Sequence, residues 1–575
     1  MNDHEDRDTF PTIPPELADR LLAGTLGREH LVQTAALARQ AVPRMGPTFT
    51  ELPGLLLAAA LEEDSLHGPT AAALLAAATD RQAPGPRLHP DFAALLARVV
   101  RAFTIPDRVD AYRHLAAQGD RERLRAYLET ECRTGRHRLF WLHVALRQAV
   151  IGRVFAWGKS LVAAALPPGL PSLAAKLTAD LELLAGRPDR ALDHYETAER
   201  LAPWPTGLFR LGLAAWQAGA TEQAIEHLRG IVHRHPWQAS ATLALFDLVH
   251  GRDTARATLP GQVAICLFTY NKAQDLDRTL AGVFASDLGG ATVTVLDNAS
   301  RDATPAVLAG WRDRVGTQQL QVISLPINIG APAARNWLMT AAPAVRQALF
   351  TVYLDDDVRL PTDWLSRLGA AVAAYPEAGV WGCRIADAAN PAIAQGVGAT
   401  LLPPAAGENL EAGPKLSGLH AETFDLGGFA HLRPCLSVMG CCHLFRTDRL
   451  LGGGGFDIRF SPSQYDDLDH DLRLCLSGRP AVYQGHLAVG HARPSAILVP
   501  QRPEQIADSH ANQIKLMGKH RERLRELASL SRYVLAHDLA DKARVLADTS
   551  APDAATRLWQ AMTRDNETEN RTQRS

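Results

Sequence analysis

Little in this chain ties it to a membrane, an oxidising compartment or a polyanion. Its most apolar stretch, Leu139 to Leu166, is broken by Arg147, Arg153 and Lys159, so it reads as packed helix and not as a membrane span. The first residues, Met1 to Asp8, are acidic and polar, the reverse of a signal peptide. Neither sign of charge is in excess. Lys and Arg number 60 against 62 Asp and Glu, a net charge of −2, which gives nucleic acid or an acidic membrane surface no reason to be the main partner. The seven cysteines (Cys132, Cys266, Cys383, Cys435, Cys441, Cys442, Cys475) show no zinc-ligand spacing, and adjacent Cys441 and Cys442 suit a disulfide poorly. Reduced thiols and a cytoplasmic location, free or peripheral to a membrane, are expected.

What is present is globular: 46% hydrophobic and 21% charged residues over 575 positions, enough for two to four domains. From about residue 15 to 250 the chain is rich in Ala, Leu and Arg with few β-branched runs, which favours helix after helix. Gly186, Ala191, His194, Pro203 and Trp204 recur as Gly219, Ala224, His227, Pro236 and Trp237, each offset by 33. That is close to the tetratricopeptide period of about 34 residues, in which small residues let paired helices approach and a proline ends each second helix. The expected division is a helical region of degenerate repeats (1–170), tetratricopeptide-like repeats (171–250) and a Pro/Gly linker (251–261). An α/β domain (262–500) follows, then a helical extension (501–575) with a helix at Gln513 to Ala536 and a polar tail fraying from about Arg564.

Beyond the linker, short apolar runs alternate with helical patterns: Val263 to Phe268, Ala291 to Leu296, Leu320 to Ser324 and Leu349 to Leu354. Such alternation predicts a mostly parallel sheet with helices on both faces, binding its ligand at the carboxyl ends of the strands. Polar clusters fall at those ends, the most acidic being Asp355-Asp356-Asp357. An acidic triplet after a strand is often only a solvated turn. Crowded carboxylates at the end of a buried strand also repel one another, and a divalent cation carrying a phosphorylated ligand would relieve that repulsion.

Seven such clusters occur in order: Phe268-Thr-Tyr-Asn271, Asp297-Asn-Ala-Ser-Arg-Asp302, Asn328-Ile-Gly330 running on to Asn336, Leu354 to Asp357, Gly454-Gly-Phe-Asp457, Asp466-Asp-Leu-Asp-His-Asp-Leu-Arg473 and Val489-Gly-His491. From Val263 to His491 the chain closely resembles a family 2 glycosyltransferase of the GT-A fold. The resemblance implies nucleotide-sugar contacts at Thr269, Tyr270, Asn271, Asp297, Asn298, Asn328, Gly330, Arg335, Asp355 and Asp356. It also implies a divalent metal, Mn or Mg, at Asp357, with Asp355 and His491 as further ligands. Asp467 matches the carboxylate that deprotonates the acceptor, with Asp466, Asp469 and Asp471 as competitors. Gly454, Gly455, Asp466 and Asp469 would shape the sugar and acceptor loop. The alternative for Arg335 is a surface salt bridge, and for His491 a contact behind the metal ligands or to the acceptor. The loop-like stretch from about Ala386 to Arg433 is where acceptors are recognised in this family, and nothing in it names the acceptor.

The expected activity is a metal-dependent, inverting transfer from a nucleotide-diphosphate sugar to an acceptor hydroxyl on a glycan, a lipid-linked sugar or a peptide. Alternatives are a peptide or protein acceptor held by the repeats, and an interaction protein whose transferase domain is vestigial. A nucleotidyltransferase would want a glycine-rich phosphate loop that Phe268-Thr-Tyr-Asn-Lys272 does not provide.

Overall fold

The computed structural model describes residues 13–46, 49–80, 85–404, 415–495, 498, 503–547 and 553–573; the Met1 to Asp8 segment lies outside them. Among the described residues, fourteen helices run from Pro15–Ala23 to Ala239–Val249. The sequence repeat is a structural repeat. Helices Pro171–Leu184 and Pro188–Leu201 form one antiparallel pair, and Leu208–Gln217 and Thr221–Arg234 form the next. Gly186 and Gly219 take φ of +73° and +77°, the left-handed conformation that lets each chain reverse between paired helices. Ala191 and Ala224 are wholly buried, and Trp204 and Trp237 are buried as well. The apolar stretch from Leu139 folds as two helices, Arg138–Ile151 and Phe155–Ala165, and among the described residues no helix is long and apolar enough to cross a membrane.

The sheet is built from β1 (Val263–Thr269), β2 (Thr292–Asp297), β3 (Leu320–Ser324), β4 (Phe350–Leu354), β5 (Val358–Arg359), β6 (Val380–Asp387), β7 (Ala394–Gly396), β10 (Leu432–Cys435), β11 (Cys442–Arg446) and β12 (Ala481–His491). A separate hairpin pairs β8 (Leu401–Leu402) with β9 (Lys415–Leu416). The main order is β10-β12-β6-β11-β4-β1-β2-β3. Strands β3, β2, β1 and β4 are parallel, whereas β11 runs antiparallel to both β4 and β6. Central strand β4 is buried on both faces, as its unbroken apolar sequence requires. After β1, Leu276, Leu280 and Val283 form the buried face of helix Ala273–Phe284.

Three features depart from the sequence reading. The stretch expected to be loop-like holds β7, the hairpin strands and a short helix, Leu419–Glu422, all too brief to carry a periodic signal; residues 405–414 lie outside the description. The extension holds three helices, Pro503–His520, Leu524–Ala547 and Ala554–Gln573; the helix expected at Gln513 to Ala536 is divided between the first two, and the last runs through the segment expected to fray. These helices also turn back: Leu535, Leu539 and Trp559 share a core with Leu17, Leu21, Trp237 and Leu245. Lys542 Nζ then joins that core to the sheet edge, donating to the Leu432 carbonyl at 2.6 Å. The Pro/Gly segment before β1 is strapped down as well, with Ala257 N donating to Ser366 O (2.9 Å) and Leu259 buried. All seven cysteines are buried free thiols.

Candidate active site

The parallel register places Thr269 beside Asp297, both buried, at the carboxyl ends of β1 and β2. The loops above them are cross-linked by side-chain amides. Asn298 donates to Asn328 Oδ1 (2.9 Å) and accepts from Ile329 N (2.9 Å), while Asn328 Oδ1 also accepts from Gly330 N (2.9 Å). Asn271, at a φ of +54°, accepts from Arg301 N (2.7 Å), which leaves the Tyr270 ring 43% exposed at the mouth of the site. Inside, the buried Thr269 hydroxyl faces Asp356.

One strand over, the triplet divides. Asp355 is partly open, while Asp356 and Asp357 are buried. Lys272, the residue directly after the Phe-Thr-Tyr-Asn cluster, reaches across to them: its Nζ lies 2.7 Å from Asp357 Oδ2 and 3.2 Å from Asp356 Oδ1. Burial would raise the Asp357 carboxyl, but His491 and Lys272 outweigh it and hold it well below the usual carboxylate range. Asp356 goes the other way, pushed up to about 6 by burial, with Lys272 only partly offsetting it. Burial would lower His491, yet its contact with Asp357 leaves the imidazole above its ordinary value.

His491 is oriented from behind. Gln395 directs its amide nitrogen at Asp387 Oδ2 (3.1 Å) and Arg493 O (2.8 Å), so its oxygen faces His491 Nδ1 at 2.7 Å. The ring therefore donates from Nδ1 and turns Nε2 toward the acids. Asp357 Oδ1 lies 3.2 Å from that nitrogen but finds no hydrogen bond of suitable alignment. Ligand atoms of Asp355, Cys441 and His491 lie within 4.8 Å of one another. A surplus of buried carboxylate, a bare imidazole nitrogen and an unpartnered carboxylate oxygen are a donor set that fits a divalent cation.

The second acidic motif sits on helix Asp466–Leu476. Its four acids have different partners. Asp466 is buried against Arg335, whose guanidinium also lies 3.6 Å from Asp355 and sits over the rings of Phe268 and Phe456. Arg335 is thus an internal strut between the two acid motifs, not a free charge at the start of helix Ala331–Ala341. Asp469 is enclosed by Arg473 (3.1 Å), Lys519 (2.7 Å) and His520 (2.9 Å). Asp471 accepts from Ser437 Oγ (2.7 Å), and burial drives it well above its ordinary value. Asp467 remains: half-buried, without an ion pair among the described residues, and fixed by the amides of Gly440 (2.8 Å) and Leu468 (2.9 Å). Arg473 gathers the carbonyls of Gly453, Gly454 and Gly455, and a Cβ on Gly455 would come within 2.6 Å of Asn336 Oδ1. That close approach accounts for Gly455 by packing.

Residues 264–403 match the family model described as Glycosyl transferase family 2. The chain carries a family 2 glycosyltransferase domain. Solved structures similar to it include GalNAc-T7 with UDP, GalNAc and Mn2+ (10% identity, 53% of this chain and 54% of that one, TM-score 0.35). Others are the mannosyltransferase PcManGT from Pyrobaculum calidifontis with GDP-Man and Mn2+ (17%, 63% and 98%, 0.34) and S. aureus TarS (16%, 54% and 54%, 0.30). The chain spans about half the length of the GalNAc-T7 and TarS chains, 54% of each. No curated protein matches it.

Lys272, Gln395 and Cys441 join the site without having been picked out as site residues from the sequence. Lys272 had a signal, since a cation directly follows a strand-end motif; Gln395 and Cys441 had none. Beside His491 opens a cavity of about 390 Å3 lined by Gln395, Met439, Gln464, Arg493 and, from the helical region, Arg147. A second cavity of about 440 Å3 shares Arg147 and Phe424 with it and continues between the helical region and the Leu419–Glu422 segment. At the junction the Arg147 guanidinium lies over the Phe424 ring, 5.3 Å from its centroid.

Proposed function

We propose that the protein is a metal-dependent, inverting glycosyltransferase that moves a sugar from a nucleotide-diphosphate donor to an acceptor hydroxyl, with Asp467 as the base. The observation that carries this reading is the partition of acids: of the four on the helix after Tyr465, Asp466 and Asp469 are ion-paired and Asp471 is wholly buried, while Asp467 is partly exposed and makes no ion pair among the described residues. The nucleotide would lie over Thr269, Asp297 and Asp355. Asp355, Asp357 and His491 would hold a divalent ion that supplies Lewis-acid neutralisation of the departing diphosphate. Asp467 takes the proton from the acceptor hydroxyl as its oxygen bonds to the anomeric carbon, while the bond from that carbon to the diphosphate oxygen breaks. Lys272 balances Asp356 and Asp357, and Arg335 keeps the two acid motifs in register. The test is nucleotide release from UDP- and GDP-sugars with Mn2+ or Mg2+. Release that stops on chelation and in Asp357→Ala is expected; release unaffected by both would overturn the metal assignment.

A second reading concerns the acceptor. The cavity pair that begins at His491 and passes Arg147 favours an acceptor gripped partly by the helical region, as an extended peptide would be. On this reading Arg147→Glu raises the acceptor KM about tenfold and leaves donor hydrolysis unchanged. Equal KM values would assign the helical region to scaffolding alone.

A further inference from the structure

We propose that Cys441 is a ligand of the cation site, so that the Asp355 carboxylate, the Cys441 thiolate and His491 Nε2 hold the ion together; the inference rests on the metal-dependent reading above. The three donor atoms already lie within 4.8 Å of one another, and Cys441 and His491 are buried. Bond lengths of about 2.0–2.3 Å from a divalent ion to oxygen, nitrogen and sulfur close on such a triangle after inward shifts of up to about 0.5–0.8 Å. The thiol is aimed by its backbone. Cys441 O accepts from Asp355 N (3.1 Å), and Gly440 N, one residue earlier, donates to Asp467 Oδ2 (2.8 Å). The peptide is therefore pinned to both acid motifs just before β11 begins.

A second observation points to the same place. Asp357 is 3% exposed, and its Oδ1, facing His491, has no hydrogen-bond partner. A buried carboxylate oxygen left in that state, beside an imidazole nitrogen held by Gln395, is a further donor facing the same place. The neighbouring Cys442 offers the contrast. Paired to Leu354 within the sheet and fully buried, it behaves as a small core residue. When the ion binds, a metal–sulfur bond forms and the thiol proton leaves to solvent, with no change of oxidation state. A sulfur ligand favours Co2+ or Zn2+ over Mg2+, which prefers oxygen alone.

The test uses the full chain, stripped with chelator and titrated with Co2+ with and without a nucleoside diphosphate. Expected is a near-ultraviolet thiolate-to-cobalt charge-transfer band that saturates at about one equivalent and persists in Cys442→Ser. In Cys441→Ser the band should vanish and Co2+ affinity fall by about tenfold or more, with Mg2+ affinity changed less than about twofold. Should Cys441→Ser not fold, the native and Cys442→Ser spectra still decide, since the remaining cysteines lie outside the cluster. Co2+ retained on dialysis without the band overturns the cysteine assignment and leaves the metal reading intact. No Co2+ retained under either condition overturns both.

Discussion

Both halves of the molecule bury more acid than base, and they resolve the surplus differently. In the helical region Glu62, Glu63, Asp180 and Glu199 surround Lys176 and Arg210. The excess there is relieved by protons: burial, then Glu62, pushes the Glu199 carboxyl up to about 8, and burial raises Glu62 itself. At the strand ends Asp355, Asp356, Asp357, Asp466 and Asp467 face two permanent cations, Lys272 and Arg335. Here His491 and Lys272 hold Asp357 well below the usual carboxylate range, and Asp467 makes no ion pair among the described residues. The same excess is therefore structural where protons can neutralise it, and chemical where geometry keeps a carboxylate charged, as it does Asp357.

The comparison is tested hardest at Asp467. Asp467→Asn should lower kcat by about 10²–10⁴ with little change in donor KM; near-normal turnover would move the base elsewhere in the motif. Lys272→Met comes next. Loss of its ammonium leaves Asp356 and Asp357 without their nearest permanent charge and should destabilise the metal-free protein by about 1–3 kcal/mol. Added Mn2+ should then raise the thermal midpoint more in the variant than in the native chain, and equal shifts would separate Lys272 from the cation site. The smallest effect belongs to the helical half. The folded pKa of Glu199, about 8, lies above the ordinary glutamate value of 4.5. The native state therefore holds a proton that the unfolded chain has released. Stability from this group is full below about 4.5 and declines as pH rises from there through 8. Glu199→Gln should flatten that slope in urea titrations across the range.

Much of this was legible beforehand, for a local reason. Strand-end motifs are contiguous in sequence, so the clusters at Thr269, Asp297, Asn328 and Asp355 announce themselves once the strands are recognised. The 33-residue repeat does the same, because each helix pair needs its own left-handed glycine and its own small crossing residue. The three terminal helices were not legible as a cover for the first ones, because an apolar helix face does not name its partner. Nor was the strap at residues 257–259, which reads as linker until Ser366 is beside it.

The sequence by itself determined the kind of sheet, the order of its ligand-facing motifs and the presence of surplus acid at their ends, since these follow from patterns a few residues long. Only the tertiary structure decided which acids are free. Asp466 is neutralised by Arg335 from another helix, Asp469 by Lys519 and His520 from the extension, and Asp357 by Lys272 from the end of β1. A carboxylate's chemistry depends on the charges within a few ångströms of it, and here those charges come from elements 50 to 131 residues away.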